Sequence, residues 1–125
     1  MKNNFLIRIL FCLLFVVSQT VLADDYMGAD KIKDLISGKT IYAKHLKRNF
    51  TFKVFFDVDG ETALRTDFGK TKKTKYEFKG NKHCIYWKGK NRCANILDNG
   101  DGTYTRVNKK GKKMIMWTKI IEGKE

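Results

Sequence analysis

Residues 82–97 read Lys82-His-Cys-Ile-Tyr-Trp-Lys-Gly-Lys-Asn-Arg-Cys-Ala-Asn-Ile-Leu97, two runs of strand-forming residues around a Lys-Gly dipeptide. If Lys88 and Gly89 are the two central residues of a tight turn, the runs pair as an antiparallel hairpin and Cys84 lies directly opposite Cys93. Opposed residues of such a ladder have Cα atoms about 4.5 to 5.5 Å apart, within reach of a disulfide. The stretch therefore predicts a hairpin closed by a Cys84–Cys93 disulfide.

Two other states of these cysteines have to be weighed, a pair of free thiols and a redox couple. Eight residues separate Cys84 from Cys93, so the Cys-x-x-Cys spacing typical of redox motifs is absent. The third cysteine, Cys12, lies in the N-terminal apolar run, which leaves an even number after it. An even count in an exported protein favours a structural disulfide.

The first 23 residues have the pattern of a signal peptide. Lys2 and Arg8 supply positive charge, residues 5–17 are apolar apart from Arg8, and Ala23 ends a small-residue pattern typical of a cleavage site. An uncleaved membrane anchor is the alternative, but the run is shorter than the ~20 residues that a span needs. We therefore predict cleavage after Ala23, a periplasmic or secreted bacterial protein with no transmembrane segment after cleavage, and a single disulfide-linked domain over residues 24–125.

The chain is strongly basic, with 26 Lys and Arg residues against 13 Asp and Glu. Removal of Lys2 and Arg8 with the signal peptide leaves 24 minus 13, a net charge of +11. This charge favours anionic partners, which outside the cytoplasm include lipid headgroups, anionic envelope polymers and acidic proteins. A lysine-rich solvated surface with no dedicated ligand is the alternative.

Hydrophobic periodicity changes once along the mature chain. Residues 28–38 predict a short helix, because Ile32, Leu35 and Ile36 share one face. From Lys39 onward the pattern has period two, and turn residues separate the runs. Strands are predicted over residues 40–46, 50–57, 61–66, 73–78, 82–87, 90–97, 103–109 and 113–121, with a loop over 67–72. The predicted fold class is mainly β, an antiparallel meander of about eight strands that forms a small barrel or a bent sheet, with one short N-terminal helix over its end or side.

Catalytic and metal-binding patterns are weak. The only histidines are His45 and His83, the only serine after the signal peptide is Ser37, and both remaining cysteines are predicted to be oxidised. No nucleophile and base can be paired from these residues, so we predict no enzymatic activity and no cofactor. The segments 57–60 and 98–103 resemble fragments of calcium loops, but neither completes the ligand pattern, and turns favour Asp and Asn beside Gly in any case. We therefore predict no metal site.

Basic side chains are dense around the turns, and we expect these to carry the function. The predicted binding residues are Lys88, Lys90 and Arg92 on the hairpin tip and Lys72, Lys73 and Lys75 beside them. The predicted function is non-enzymatic binding of an anionic or amphiphilic cell-envelope component by a monomer. The alternative is a protein–protein interaction module, an inhibitor or assembly factor that docks on an acidic partner. Nucleic acid is disfavoured as a ligand because it is scarce outside the cytoplasm, although lysines interleave with aromatic residues as in single-strand binders.

A set of short motifs spans residues 28–120. It comprises Ile36-Ser37-Gly38, Asp59-Gly60, Cys84-x-x-Trp87, a second cysteine, and then Asp-Gly-Thr-Tyr ending at Tyr104. In this order the motifs resemble small exported bacterial β-rich domains that belong to families of unknown function. The resemblance implies a signal peptide and an antiparallel fold with one disulfide. It implies no activity and no functional residues.

The processed protein should begin at Asp24 and have a mass two hydrogens below that of the reduced chain, because both cysteines are expected to be oxidised. Intact mass spectrometry of the protein purified from the periplasm of its own host measures both properties. A chain that retains residues 1–23 would contradict the cleavage, and a fully reduced mass would contradict the disulfide.

Overall fold

Eight antiparallel strands close into a barrel in the computed structural model, which describes residues 25–125. The predicted signal peptide, residues 1–23, lies outside the described residues. Each strand pairs with the next, and the last strand pairs back with the first. The elements in chain order are helix α1 (Ala29–Ile36) and strands β1 (Lys39–His45), β2 (Phe50–Phe56), β3 (Thr62–Asp67), β4 (Lys70–Lys79), β5 (Lys82–Trp87), β6 (Lys90–Asp98), β7 (Tyr104–Val107) and β8 (Lys113–Glu122). The predicted mainly-β meander of eight strands is confirmed, and it is a closed barrel.

The barrel interior is filled by rings that lie opposite small residues. Three buried alanines face ring-bearing residues across the ladders, in the pairs Ala43–Phe52, Ala63–Phe56 and Ala94–His83. A small side chain beside a large one lets the rings reach into a narrow barrel without collision. The ring of Phe56 lies 4.9 Å from that of Tyr76 and 6.5 Å from that of Trp117, measured between centroids. The aromatic residues of the sequence therefore serve largely as core.

Helix α1 covers one end of the barrel, as its apolar face predicts. Ile32 and Ile36 are fully buried in the main core, and Leu35 packs against it. The cap at the helix N-terminus comes from elsewhere in the chain, because the backbone N–H of Ala29 donates to Oδ1 of Asn81 at 3.1 Å. Asn81 lies in the turn between β4 and β5, so this bond ties the helix to the barrel rim. No helix among residues 25–125 is long and apolar enough to cross a membrane.

The hairpin of β5 and β6 has the predicted register. Cys84 faces Cys93 and the two form a disulfide, while Trp87 faces Lys90 beside the turn. Lys88 and Gly89 have φ angles of 53° and 78°. Positive φ at both central residues is the signature of the two-residue turn that matches the twist of paired strands. Cys84 is fully buried on the outward-facing row of β5, so the disulfide reinforces the barrel wall.

The predicted loop over residues 67–72 is wrong. β3 continues to Asp67 and β4 begins at Lys70, which leaves a two-residue turn of Phe68 and Gly69. Residues 70–73 are all exposed, although they are paired with β3. Inward positions at the rim of a barrel meet solvent, so polar residues occupy both faces and the alternation that marks a strand disappears.

A double substitution, Cys84→Ala with Cys93→Ala, should lower the free energy of unfolding by about 2.5 to 3 kcal/mol, because the disulfide no longer restricts the unfolded chain over a ten-residue loop. Urea denaturation of the variant and of the parent under oxidising conditions measures the difference. The parent with its disulfide reduced serves as a control and should lose a similar amount. Equal stability of oxidised parent and variant would contradict a stabilising role for this bond.

Candidate functional site

The up-and-down strand order sends alternate connections to opposite ends of the barrel. Connections 57–61, 80–81 and 99–103 lie at the end that α1 covers, which we call the helix end. Connections 46–49, 68–69, 88–89 and 108–112 lie at the other end. The four connections at this other end contain six basic residues and no acidic residue, so we call it the basic end. The three connections at the helix end contain four acidic residues and no basic residue. The six are Lys47, Arg48, Lys88, Lys109, Lys110 and Lys112.

Three of the four acidic residues of the helix end, Asp57, Asp59 and Asp101, accept hydrogen bonds within their own turns. The carboxylate of Asp59 accepts hydrogen bonds from the backbone N–H groups of Glu61 at 2.9 Å and Thr62 at 2.8 Å, and from the Thr62 hydroxyl at 2.6 Å. The Thr62 hydroxyl is the main cause of a lowered Asp59 pKa. Asp101 likewise accepts from the backbone and hydroxyl of Thr103. Turn formation thus accounts for the two segments that resemble calcium loops, and no group of three or more His, Cys, Asp or Glu residues within 25–125 is placed to hold a metal ion.

Arg65 lies on the inward row of β3 between two aromatic rings. Its guanidinium carbon is 3.9 Å from the ring centroid of Phe52 and 4.2 Å from that of Trp87. Nη2 donates to Oδ2 of Asp67 at 3.3 Å, and the buried Nε has no hydrogen-bond partner in the described part of the chain. Stacking of a cation on two ring faces compensates in part for its loss of water. The same tryptophan has Lys72 above its ring at 5.9 Å and accepts, through its backbone oxygen, a hydrogen bond from Nε of Arg92 at 3.1 Å.

A second arginine lies deeper, and its partners are neutral. Arg106 is only 5% exposed. Nη1 donates to Nδ1 of His83 at 2.5 Å, and Nη2 donates to the backbone oxygens of His83 at 3.2 Å and Arg92 at 3.1 Å. Burial, with a smaller contribution from the charge of Arg65, lowers the pKa of Arg106 to about 10, so the group stays charged at neutral pH. No acidic side chain in residues 25–125 forms a salt bridge with it.

This arrangement assigns the proton of His83. An arginine has no acceptor, so Nδ1 must accept and the proton must be on Nε2. Nε2 is buried and has no hydrogen-bond partner in the described residues. The imidazole plane is nearly perpendicular to the rings of Phe56 and Trp117, with centroids at 5.1 Å and 5.8 Å, a geometry in which an N–H can contact an aromatic face. His83 is therefore a buried neutral histidine that accepts a hydrogen bond from Arg106.

The pKa shifts of three inward-row residues near the basic end share a secondary cause in nearby positive charge. Burial is the main cause in each case, and it lowers the pKa of His45, Arg65 and Arg106. Neighbouring cations lower the pKa of His45 and Arg106 further, through Arg48 and Arg65 respectively. At Arg65 the carboxylate of Asp67 raises the pKa against the effect of burial, and Arg92 adds a smaller lowering. A positive potential disfavours additional protons and attracts anions. This part of the barrel is therefore an electropositive environment whose inner charges lack matching carboxylates, apart from the Arg65–Asp67 pair.

Aromatic rings run from the tip of the basic end to Arg65. Phe68, in the turn between β3 and β4, is 79% exposed and lies 5.4 Å from Phe50 between ring centroids. Phe50 stacks on His45 at 5.1 Å and lies 5.9 Å from Phe52, which covers Arg65. A row of aromatic rings along one inner edge of the basic end therefore leads to the cation of Arg65. Such a surface can contact both the charge and the hydrocarbon of an amphiphile.

The structure divides the six predicted binding residues into two groups. Lys72, Lys90 and Arg92 belong to inward rows at the basic end, and Lys88 is in a turn there. Lys73 and Lys75 are exposed on the outer wall of β4 and do not face the basic end.

Sequence reasoning missed several groups at the basic end. They are Arg65, Arg106, the exposed ring of Phe68, and the lysines of the connection 108–112 as part of one surface. Alternation from Ala63 would have placed Arg65 inward, and the meander order alone would have assigned each turn to an end. Nothing in the sequence marks Arg106 as buried, because an arginine in a short strand is ordinarily solvated.

No protein-family model, curated protein or solved structure shows significant similarity to this chain. The resemblance to exported β-rich domains of unknown function stays a prediction. The geometry and charge of the barrel are therefore the basis for assigning a function.

His83 should remain neutral, with its proton on Nε2, at pH 5.5, where an unperturbed histidine is about 90% protonated. Burial and the charge of Arg106 hold its pKa well below 6.5 in the folded protein. The unfolded chain binds this proton near pH 6.5 and the native one does not, so the contribution of His83 to stability falls as the pH drops below 6.5. Nitrogen-15 NMR of the histidine rings measures both state and tautomer. Protonation of the native His83 near pH 6.5 would contradict the assignment.

Proposed function

We propose that the basic end binds an anionic or amphiphilic component of the bacterial cell envelope, without catalysis. The observation that carries this proposal is the separation of charge between the two ends, with six basic and no acidic residues in four connections. A solvated lysine-rich surface would have no reason to confine its acidic turn residues to the opposite end. Positive charge that is concentrated at one end instead gives that end a surface that attracts anionic ligands.

The interior of the barrel supports the same proposal. Keeping Arg106 charged among neutral acceptors costs stability, because desolvation of a cation is compensated best by a carboxylate. An aliphatic side chain of similar volume would fill the space without this cost. Arg106 lies close enough to Arg65 for the positive charge of Arg65 to lower the pKa of Arg106. Its charge adds to the potential that an anion at the basic end would experience.

The amphiphilic part of the proposal rests on the aromatic row. Phe68 and Phe50 lie beside the basic connections and reach toward Arg65 through Phe52. An anionic headgroup can contact the lysines while attached hydrocarbon contacts the rings. An acidic protein partner remains the second candidate, since the same cations would attract it, and it is distinguished by experiment.

Replacement of four lysines at the basic end should weaken binding to polyphosphate and to vesicles that contain phosphatidylglycerol. The expected loss on the vesicles is roughly 100-fold or more, because each basic side chain near an anionic membrane contributes about 1 kcal/mol. Sedimentation with vesicles and fluorescence anisotropy with labelled polyphosphate, at fixed ionic strength, measure the effect. The substitutions are Lys88→Gln, Lys90→Gln, Lys109→Gln and Lys110→Gln.

A matched control removes the same charge elsewhere. The control variant replaces four exposed lysines of α1 and of the outer wall of β4 and β8. The substitutions are Lys31→Gln, Lys73→Gln, Lys75→Gln and Lys119→Gln. This control should bind nearly as well as the parent. Equal losses in both variants would show that net charge alone matters, and failure of the parent to bind either probe would reject the proposed function. A parent that binds neither probe but retains one stoichiometric acidic protein from envelope extract would favour the second candidate.

A further inference from the structure

The tip of the basic end exposes a large aromatic side chain. Three large hydrophobic residues in the described chain are well exposed, and they differ in position: Val58 is at the helix end, Tyr86 is on the outer wall, and Phe68 is at the basic end. Phe68 is the most exposed of the three, at 79%. It lies in a two-residue turn beyond the ends of β3 and β4, at the same end of the barrel as the six basic residues.

The backbone at this position does not favour phenylalanine. Phe68 has a φ of 51°, in the left-handed region, and Gly69 follows with a φ of 76°. Asn or Gly adopts this conformation readily, whereas a bulky side chain is disfavoured there. The fold alone would therefore select a different residue. An exposed ring held in an unfavourable conformation suggests a role outside the folded core.

The basic residues in the connections at this end are mostly lysines. Five of the six basic residues in the connections of the basic end are Lys, and one is Arg. Lysine is depleted in protein–protein interfaces, where arginine is enriched. An anionic membrane surface attracts lysines by charge and requires no fixed geometry. A phenylalanine beside lysines has the composition of membrane-surface segments, in which Trp, Phe or Leu enter the boundary between headgroups and acyl chains next to Lys and Arg.

We propose that the protein docks end-on to an anionic phospholipid bilayer, with the Phe68 ring inserted into the headgroup region and the lysines of the basic end over it. This inference rests on the proposed function and names its ligand as a lipid surface. The helix end then points away from the membrane. The β3–β4 turn is the first part of the protein to enter the lipid.

The decisive variant is Phe68→Asn, which suits the left-handed backbone and removes the ring. Vesicles of phosphatidylglycerol and phosphatidylcholine should bind it about tenfold more weakly than the parent, the expected effect of losing one partly inserted ring. Its melting temperature should stay level or rise, because Asn relieves the turn. Binding to polyphosphate, which has no hydrocarbon, should be unchanged. The matched control Val58→Asn removes an exposed apolar residue from a turn at the helix end and should leave vesicle binding unaltered.

Insertion can be observed directly with Phe68→Trp. The parent already fluoresces through Trp87 and Trp117, so the signal of the new tryptophan is the difference between variant and parent. With the vesicles, this difference signal should shift to shorter wavelength and should be quenched by lipids that are brominated on their acyl chains. A parent-like affinity of Phe68→Asn for vesicles would overturn the inference, and the proposed function would survive if the four-lysine variant still lost binding. An equal loss of binding by Phe68→Asn to vesicles and to polyglutamate would also overturn it, because the ring would then serve an acidic polypeptide. Failure of the parent to bind any anionic probe would reject both proposals.

Discussion

Pairing of the first strand with the last is the constraint on which the rest of the structure depends. β1 and β8 pair along their lengths, with one irregularity between Tyr42 and Ala43, and this pairing leaves the barrel with no free edge. Closure forces the inward rows of all eight strands into one narrow space. The pairing of alanines with rings, such as Ala63 opposite Phe56, is the packing solution to that restriction. Closure also fixes which turns share an end, and hence where charge accumulates.

The interior has two chemical regions because the barrel is covered differently at its ends. Toward the helix, Ile32 and Ile36 complete an apolar core. Toward the basic end, the inward rows carry Arg106 and Arg65 in place of aliphatic side chains. Arg106 donates to neutral acceptors, which leave its charge without a carboxylate partner. Arg65 is stacked between two rings and is also paired with the carboxylate of Asp67.

The sequence was informative where local chemistry and global fold coincide. The turn at Lys88 and Gly89 sets the register that brings Cys84 and Cys93 together, so the disulfide followed from local pattern alone. The strand count also followed from alternation and turn residues. The start of β4 could not be found this way, because inward positions at the barrel rim are solvated and polar. The charge separation, likewise, depends on which turns meet in space, and burial of Arg106 depends on partners contributed by β5 and β6.

Acidic turns at one end and basic turns at the other give the molecule an electric dipole moment along the barrel axis. In the field of a negatively charged plane such a dipole experiences a torque before any atoms touch. This field extends for about 8 to 10 Å at physiological ionic strength, a distance over which tumbling can be biased. The field would thus favour approach with the basic end toward the negative surface. The protein's rate of productive encounter would then depend on salt more steeply than its net charge alone suggests.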